Sequence, residues 1–309
     1  MSSNGGGIKY IGHKIIDYKK WDNCVEFAGN SRIYAMSWHL DRTAEVWDAL
    51  VLGDYDFIMP LPFRKKWGIT YLYQPIFSQQ LGIFPAPPVE IAQLFYSKIV
   101  EVFRYSDMQI NSQNPALSLA DIGFVPRHNY ILSLSKEYHE FAKNYSKNTK
   151  RNISKSAKNG LNLVIGLRME EYLEFKKSNS KIPHAAPDMK RLKSIIANGQ
   201  YKGIGEIFGV YSASNKLLAA VYFCRWKERI IYMNAATSEE GKDLGAMFYL
   251  LDRFLRKTAG NNVLLDLEGS MIKGVARFYS GFGALPETYH QLKINRLPLP
   301  LKWLKQKTG

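Results

Sequence analysis

Apolar and polar positions in this chain come in blocks short enough for strands, punctuated by longer stretches with helical spacing. In the first half, IKYIGHKII reads as a short strand and KKWDNCVEFAG as a short helix stopped by Gly29. VWDALVLG, FIMPLPFR and ITYLYQPIF follow as successive strands, joined by the polar turns GDYD and KKWG. PPVEIAQLFYSKIVEVFRYS predicts a helix opened by its two prolines, with Ile91, Leu94, Phe95, Ile99, Val102 and Phe103 as its apolar stripe. MQINSQNP and NYILSLS are the remaining strands of this half.

The second half repeats the order. LNLVIGL predicts a strand, MEEYLEFKKSN a helix, and DMKRLKSIIANG a helix capped by Asp188 and stopped at Gly199. EIFGVYSA, KLLAAVYFCRW and RIIYMNAAT are three strands joined by the turns SASN and KE. The helix LGAMFYLLDRFLRKTAG, the strand VLLDLEGS, the helix IKGVARFYSGF and the strand YHQLKIN complete the chain. Two passes through strands, long amphipathic helix and further strands predict two copies of one α/β unit, residues 1–135 and 161–309. The segment 136–160 is a basic connecting helix.

That connection carries no acid from Phe141 to Met169, while Lys143, Lys147, Lys150, Arg151, Lys155 and Lys158 are cationic. At about 100° per residue, Phe141, Tyr145, Ile153 and Ala157 gather on one side and Lys143, Lys147, Arg151, Lys155 and Lys158 on roughly the other, with Gly160 ending the helix. Two readings stay open: a solvated surface face, or an anion-facing helix for phosphate, RNA or lipid headgroups, centred on Lys147, Lys150, Arg151 and Lys155.

The net charge of +15 widens the same question to the whole protein, since it favours a polyanionic partner as readily as it describes a basic surface. The 309 residues, 46% hydrophobic, describe a globular chain and argue against disorder. No apolar run nears the roughly 20 residues that span a bilayer, and MSSNGGGIKY reads as a floppy leader rather than a signal peptide. Cys24 and Cys224 read as buried thiols in a reducing cytosol, so the expected location is cytoplasmic. Neither a zinc-ligand spacing nor a phosphate-binding GxxxxGK[ST] loop is present.

Three pieces carry a resemblance: SKNTKRNISKSAKNGL, the pair YLYQPIFSQQLGIF with KLLAAVYFCRW, and LLDLEGSMIKGVARFYSGFGALPETYHQLKIN. Together they resemble the Fem-type branch of the GNAT acyltransferase superfamily over roughly Ile8 to Pro300, a group that includes aminoacyl transferases of peptidoglycan cross-bridge synthesis. The resemblance implies an α/β fold of two tandem GNAT-like domains with mixed sheets, and transfer of an acyl or aminoacyl group to an amine of a cell-envelope precursor or a metabolite. It implies no tightly bound cofactor, with acyl-coenzyme A or aminoacyl-tRNA as co-substrate. Where coenzyme-A users carry Q/R-x-x-G-x-G/A, this chain reads SEEGKDLGA, with Gly241 and Gly245 too widely spaced and Glu239 and Glu240 set to repel a pyrophosphate. There is also no sustained heptad run for the helical hairpin that some Fem enzymes associate with tRNA.

Acyl transfer to an amine needs a base for the ammonium and a donor for the developing oxyanion. Alternation along VLLDLEGS sets Leu264, Asp266 and Glu268 on one face, so Glu268 and Asp266 are candidate bases or ammonium ligands at a strand end. The alternative is a carboxylate paired with Arg277 or a helix cap, with Ser270 at the cap position. Tyr279, on the helix after the turn, is a candidate general acid or a core residue, with Ile272, Val275 and Ala276 on its stripe. Arg277 could hold a phosphate or carboxylate. Tyr73, Gln74 and Gln79 could present a sugar- or peptide-binding surface, or pack between domains. His184, in a loop-like context, is a weaker base candidate. The tail, with Trp303 among lysines, hints at peripheral contact with an anionic membrane. Against the enzyme stands a different class: a non-catalytic RNA- or envelope-binding module on a degenerate GNAT scaffold.

Overall fold

The structure is a computed structural model that describes residues 7–180, 185–269, 271–299 and 302. Ser270, His184 and Trp303 lie outside the described residues.

In chain order the first elements are β1 (Lys9–Ile11), α1 (Tyr18–Phe27), α2 (Ser37–Thr43), β2 (Val46–Leu52), β3 (Phe57–Lys66), β4 (Ile69–Tyr73), α3 (Val89–Val102) and β5 (Tyr105–Ile110). Next come β6 (Gly123–Ser133), α4 (Tyr138–Ala142), α5 (Lys147–Lys158), β7 (Asn162–Ile165), α6 (Met169–Asn179), α7 (Ala186–Tyr201), β8 (Gly205–Tyr211), β9 (Leu217–Trp226) and β10 (Arg229–Thr237). The last are α8 (Glu239–Asp243), α9 (Ala246–Thr258), β11 (Leu264–Gly269), α10 (Lys273–Gly281) and β12 (Leu285–Asn295).

Two compact units result: Met1–Arg127 with Thr288–Gly309, and His128–Glu287. The first has strand order β1-β2-β3-β4-β5-β12, the second β7-β8-β9-β10-β11-β6. Each has antiparallel strands, then one parallel pair, β4 with β5 and β10 with β11, then an antiparallel last strand. This is the mixed α/β architecture of a tandem repeat. The units differ from a cut at residues 135 and 161, because β12 pairs with β5 (His290 opposite Ile110) and β6 pairs with β11 (Leu132 opposite Leu265). Each sheet therefore takes its last strand from the other repeat of the sequence, which no local pattern encodes.

Several local expectations shift for physical reasons. The connecting segment is two helices, not one: Ser146 accepts the Thr149 N–H at 3.1 Å and starts α5 afresh. Phe141 and Tyr145 are buried and Ala157 is exposed, so the inward side of α5 itself is Thr149, Ile153 and Ser156. In α3 the buried stripe is Ala92, Phe95, Tyr96 and Ile99, whereas Leu94 and Val102 face solvent. Gly199 does not stop α7, which starts after Ala185 and runs to Tyr201. A Cβ on Gly199 would lie 2.0 Å from the Tyr222 hydroxyl, so that glycine is a packing residue. The core of the second unit includes Phe223 stacked on Phe254 at 3.9 Å between centroids, tying β9 to α9.

Candidate active site

β10 and β11 pair in parallel from Arg229–Leu264 to Ile231–Asp266 and then part, although β10 continues to Thr237 and β11 to Gly269. A cavity of about 830 Å³ opens there, walled by the free length of β10, the end of β11, one face of α10, the start of α9 and the end of α6. That volume suits a small-molecule site. Among the described residues, those that line it all belong to the second unit.

The acidic strand end does not alternate as the sequence predicts. Between Asp266 (opposite Ile131) and Gly269 (opposite Asn129) β11 holds one residue too many, and Glu268 takes φ +55°. Such a bulge puts successive side chains out of phase. Asp266 and Glu268 therefore part company. Asp266 is 1% exposed and meets Arg229 at 2.6 Å, while the second guanidinium nitrogen of Arg229 lies 3.9 Å from Glu287. Its other oxygen accepts the Glu268 N–H at 3.0 Å and pins the bulge. Glu268 lines the cavity; Asp266 does not. As a base candidate Asp266 is thus displaced into a supporting role by a buried ion pair.

Tyr279 also lines the cavity, and burial, with Glu268 and Asp266 adding to it, raises its pKa above that of an ordinary phenol. Its hydroxyl therefore keeps its proton well into the alkaline range. Tyr232, on the cavity-facing length of β10, is likewise raised by burial. A second bulge, between Tyr232 and Asn234, leaves Met233 without a partner residue on β9. Met233, the extra residue of this bulge, lines the cavity.

The other expected residues lie elsewhere. Arg277 is exposed on α10 and away from the cavity lining; its expected carboxylate partner is held by Arg229 instead. Tyr73, Gln74 and Gln79 are in the first unit. Tyr73 accepts the Glu45 N–H at 3.0 Å under the Arg64 guanidinium, and Gln74 bridges the Ser78 carbonyl and the Gln109 N–H. Gln79 is buried and accepts from Gln80. These are internal contacts. Lys147, Lys150, Arg151 and Lys155 are exposed on α5.

In SEEGKDLGA, Gly241 is needed because a Cβ would lie 2.2 Å from the Leu218 carbonyl oxygen, and Gly245 precedes α9 at φ +71°. Glu239 and Glu240 are paired with Lys242 and Lys216, which blunts the repulsion expected of them. The sequence reading missed Arg229 and Lys176. Arg229 is the first residue of β10, and only the parallel register sets it beside β11. Lys176 is one of two adjacent lysines in FKKSN that local pattern does not tell apart.

Among the described residues no helix is long and apolar enough to cross a membrane. No family model and no curated protein sequence matches the chain. Solved structures do. FemX superposes with a TM-score of 0.61 at 13% identity, covering 94% of this chain and 98% of FemX. The C-terminal domain of a putative lysylphosphatidylglycerol synthetase from Agrobacterium fabrum gives 0.57 at 10% identity, over 94% of this chain and 95% of that one. A tandem GNAT protein from the clavulanic acid biosynthesis pathway gives 0.55 at 12% identity, over 93% and 97%. At these identities the likeness is one of fold: the chain shares the tandem GNAT-like fold of these structures.

Proposed function

We propose that the protein is an acyltransferase that moves an acyl or aminoacyl group onto an amine inside the second-unit cavity. The observation that carries this reading is the convergence of Glu268 and Tyr279 on one cavity at parted parallel strands. Glu268 takes a proton from the substrate ammonium, and the freed amine attacks the acyl carbonyl. As the new C–N bond forms, the oxyanion develops beside the bulged length of β10 at Met233. The bond to the leaving oxygen or sulfur then breaks, Tyr279 supplies the proton that neutralises it, and the new amide nitrogen gives its remaining excess proton back to the tyrosinate.

The acceptor in this reading is the amine of an envelope precursor or metabolite. For the donor, α5 favours aminoacyl-tRNA over acyl-coenzyme A. Its Asn152 carbonyl packs against Gly245 on the cavity wall, and its Lys147, Lys150, Arg151 and Lys155 face solvent. The same exposed cations support a second reading, a binding module for RNA or an anionic envelope surface without turnover. Incubating the protein with labelled acyl-coenzymes or aminoacyl-tRNAs and a panel of amines separates the two. Label on the amine, lost in Glu268→Gln, supports the enzyme. Binding of tRNA with no label moved to any amine supports the module.

A further inference from the structure

The cavity holds a cation that the acyl-transfer chemistry does not use. Lys176, at the end of α6, lines the cavity wall facing β10, and its Nζ donates to the Ala235 carbonyl at 2.7 Å. No carboxylate pairs with it among the described residues. An ammonium has three donors, so one carbonyl leaves two directed at other groups. A partly buried cation satisfied only in part is costly to hold in place. Burial lowers its pKa from the ordinary lysine value, the expected consequence of a charge without a counter-charge. An anion arriving from solution would relieve that cost.

The β11 wall of the same cavity carries the other sign. Glu268 sits two residues beyond Asp266 on β11, and Ala235 four residues beyond Ile231, the partner of Asp266, on β10. The two levels differ by two residues, about 7 Å along a strand, and the strands diverge between them. An alkylamine reaches only one of these charges. A molecule with an amine and an anion several bonds apart reaches both.

Resting on the acyl-transfer reading, we propose that the acceptor is zwitterionic, its amine at Glu268 and a carboxylate or phosphate held by Lys176. Lys176 is then a specificity residue that touches substrate. Two sources of that anion share the chemistry: a peptide-like carboxylate and a phosphoamine.

Isothermal titration with paired probes tests it: alanyl-alanine against alanyl-alanine amide, and phosphoethanolamine against ethanolamine. In wild-type protein the anion-bearing member of at least one pair binds roughly tenfold tighter or better, as a charge-assisted hydrogen bond requires. Discrimination in the dipeptide pair alone identifies a carboxylate, and in the phosphoamine pair alone a phosphate. Lys176→Met equalises the pairs and Lys176→Arg keeps the preference; thermal unfolding checks each variant. If Lys176→Met does not fold, Lys176→Gln, which retains a donor for Ala235, takes its place. Equal binding within both pairs overturns the proposal, as does absence of saturable binding by every anion-bearing probe. Discrimination that survives in a folded Lys176→Met does so too. Label transfer to plain amines without any such discrimination leaves the acyltransferase reading standing and removes Lys176 from it. Discrimination with no label transferred to any amine does the reverse.

Discussion

Arg229 holds Asp266 at 2.6 Å, and the carboxylate of Asp266 in turn accepts the N–H of Glu268. One acid of the DLE triplet is thereby spent on architecture, and the other is delivered to the cavity.

Substituting the two acids should therefore give different failures. Asp266→Asn leaves the Arg229 guanidinium, which is 17% exposed, with Glu287 at 3.9 Å as its remaining counter-charge, and should cost about 1–3 kcal/mol of stability in urea unfolding. Glu268→Gln should unfold like wild type and lose about 10²- to 10⁴-fold in the rate of acyl transfer. Equal stability losses in both variants would contradict the division of roles.

His39 gives a pH signature in the first unit. It is fully buried against Tyr34 and Trp38, its Nε2–H donates to the Phe77 carbonyl at 3.0 Å, and burial lowers its pKa to about 4, with nearby Arg42 acting in the same sense. The unfolded chain takes up its proton near pH 6.5, so below that pH the unfolded state binds more protons than the native one. Stability should fall as pH drops from about 6.5 toward about 4, by at most about 3 kcal/mol. Urea titrations of wild type and His39→Gln across that range should show a shallower slope in the variant, the remainder including His290, whose pKa burial also lowers.

The exposed face of α5 should matter to polyanions and not to folding. Lys150→Glu with Arg151→Glu alters two exposed side chains and should leave unfolding within about 0.5 kcal/mol of wild type. Binding of tRNA should weaken, and its log–log dependence on salt should flatten by about two. An unchanged salt slope would dismiss α5 as the RNA contact.

Gly199→Ala should destabilise the second unit by about 1–3 kcal/mol, because the new methyl meets the Tyr222 hydroxyl. Adding Tyr222→Phe should recover part of that loss. Thermal unfolding of the single and double variants reads the coupling directly.

The pattern of apolar positions passed over the short helices α2 and α8, but determined the order of most strands and long helices, the two-copy α/β architecture and the segment that carries Glu268 and Tyr279. Those follow from periods of two and 3.6 residues, which are properties of neighbouring positions. It placed Asp266 beside Glu268 on one face, because alternation carries no mark of a bulge; the extra residue shows only when β11 is laid against β6. Arg229 as the partner of Asp266, Lys176 on the cavity wall, and the exchange of β6 and β12 between sheets were likewise decided by the tertiary structure. Each joins residues tens to hundreds of positions apart, and contacts of that range depend on strand register and packing rather than on the local order of residues.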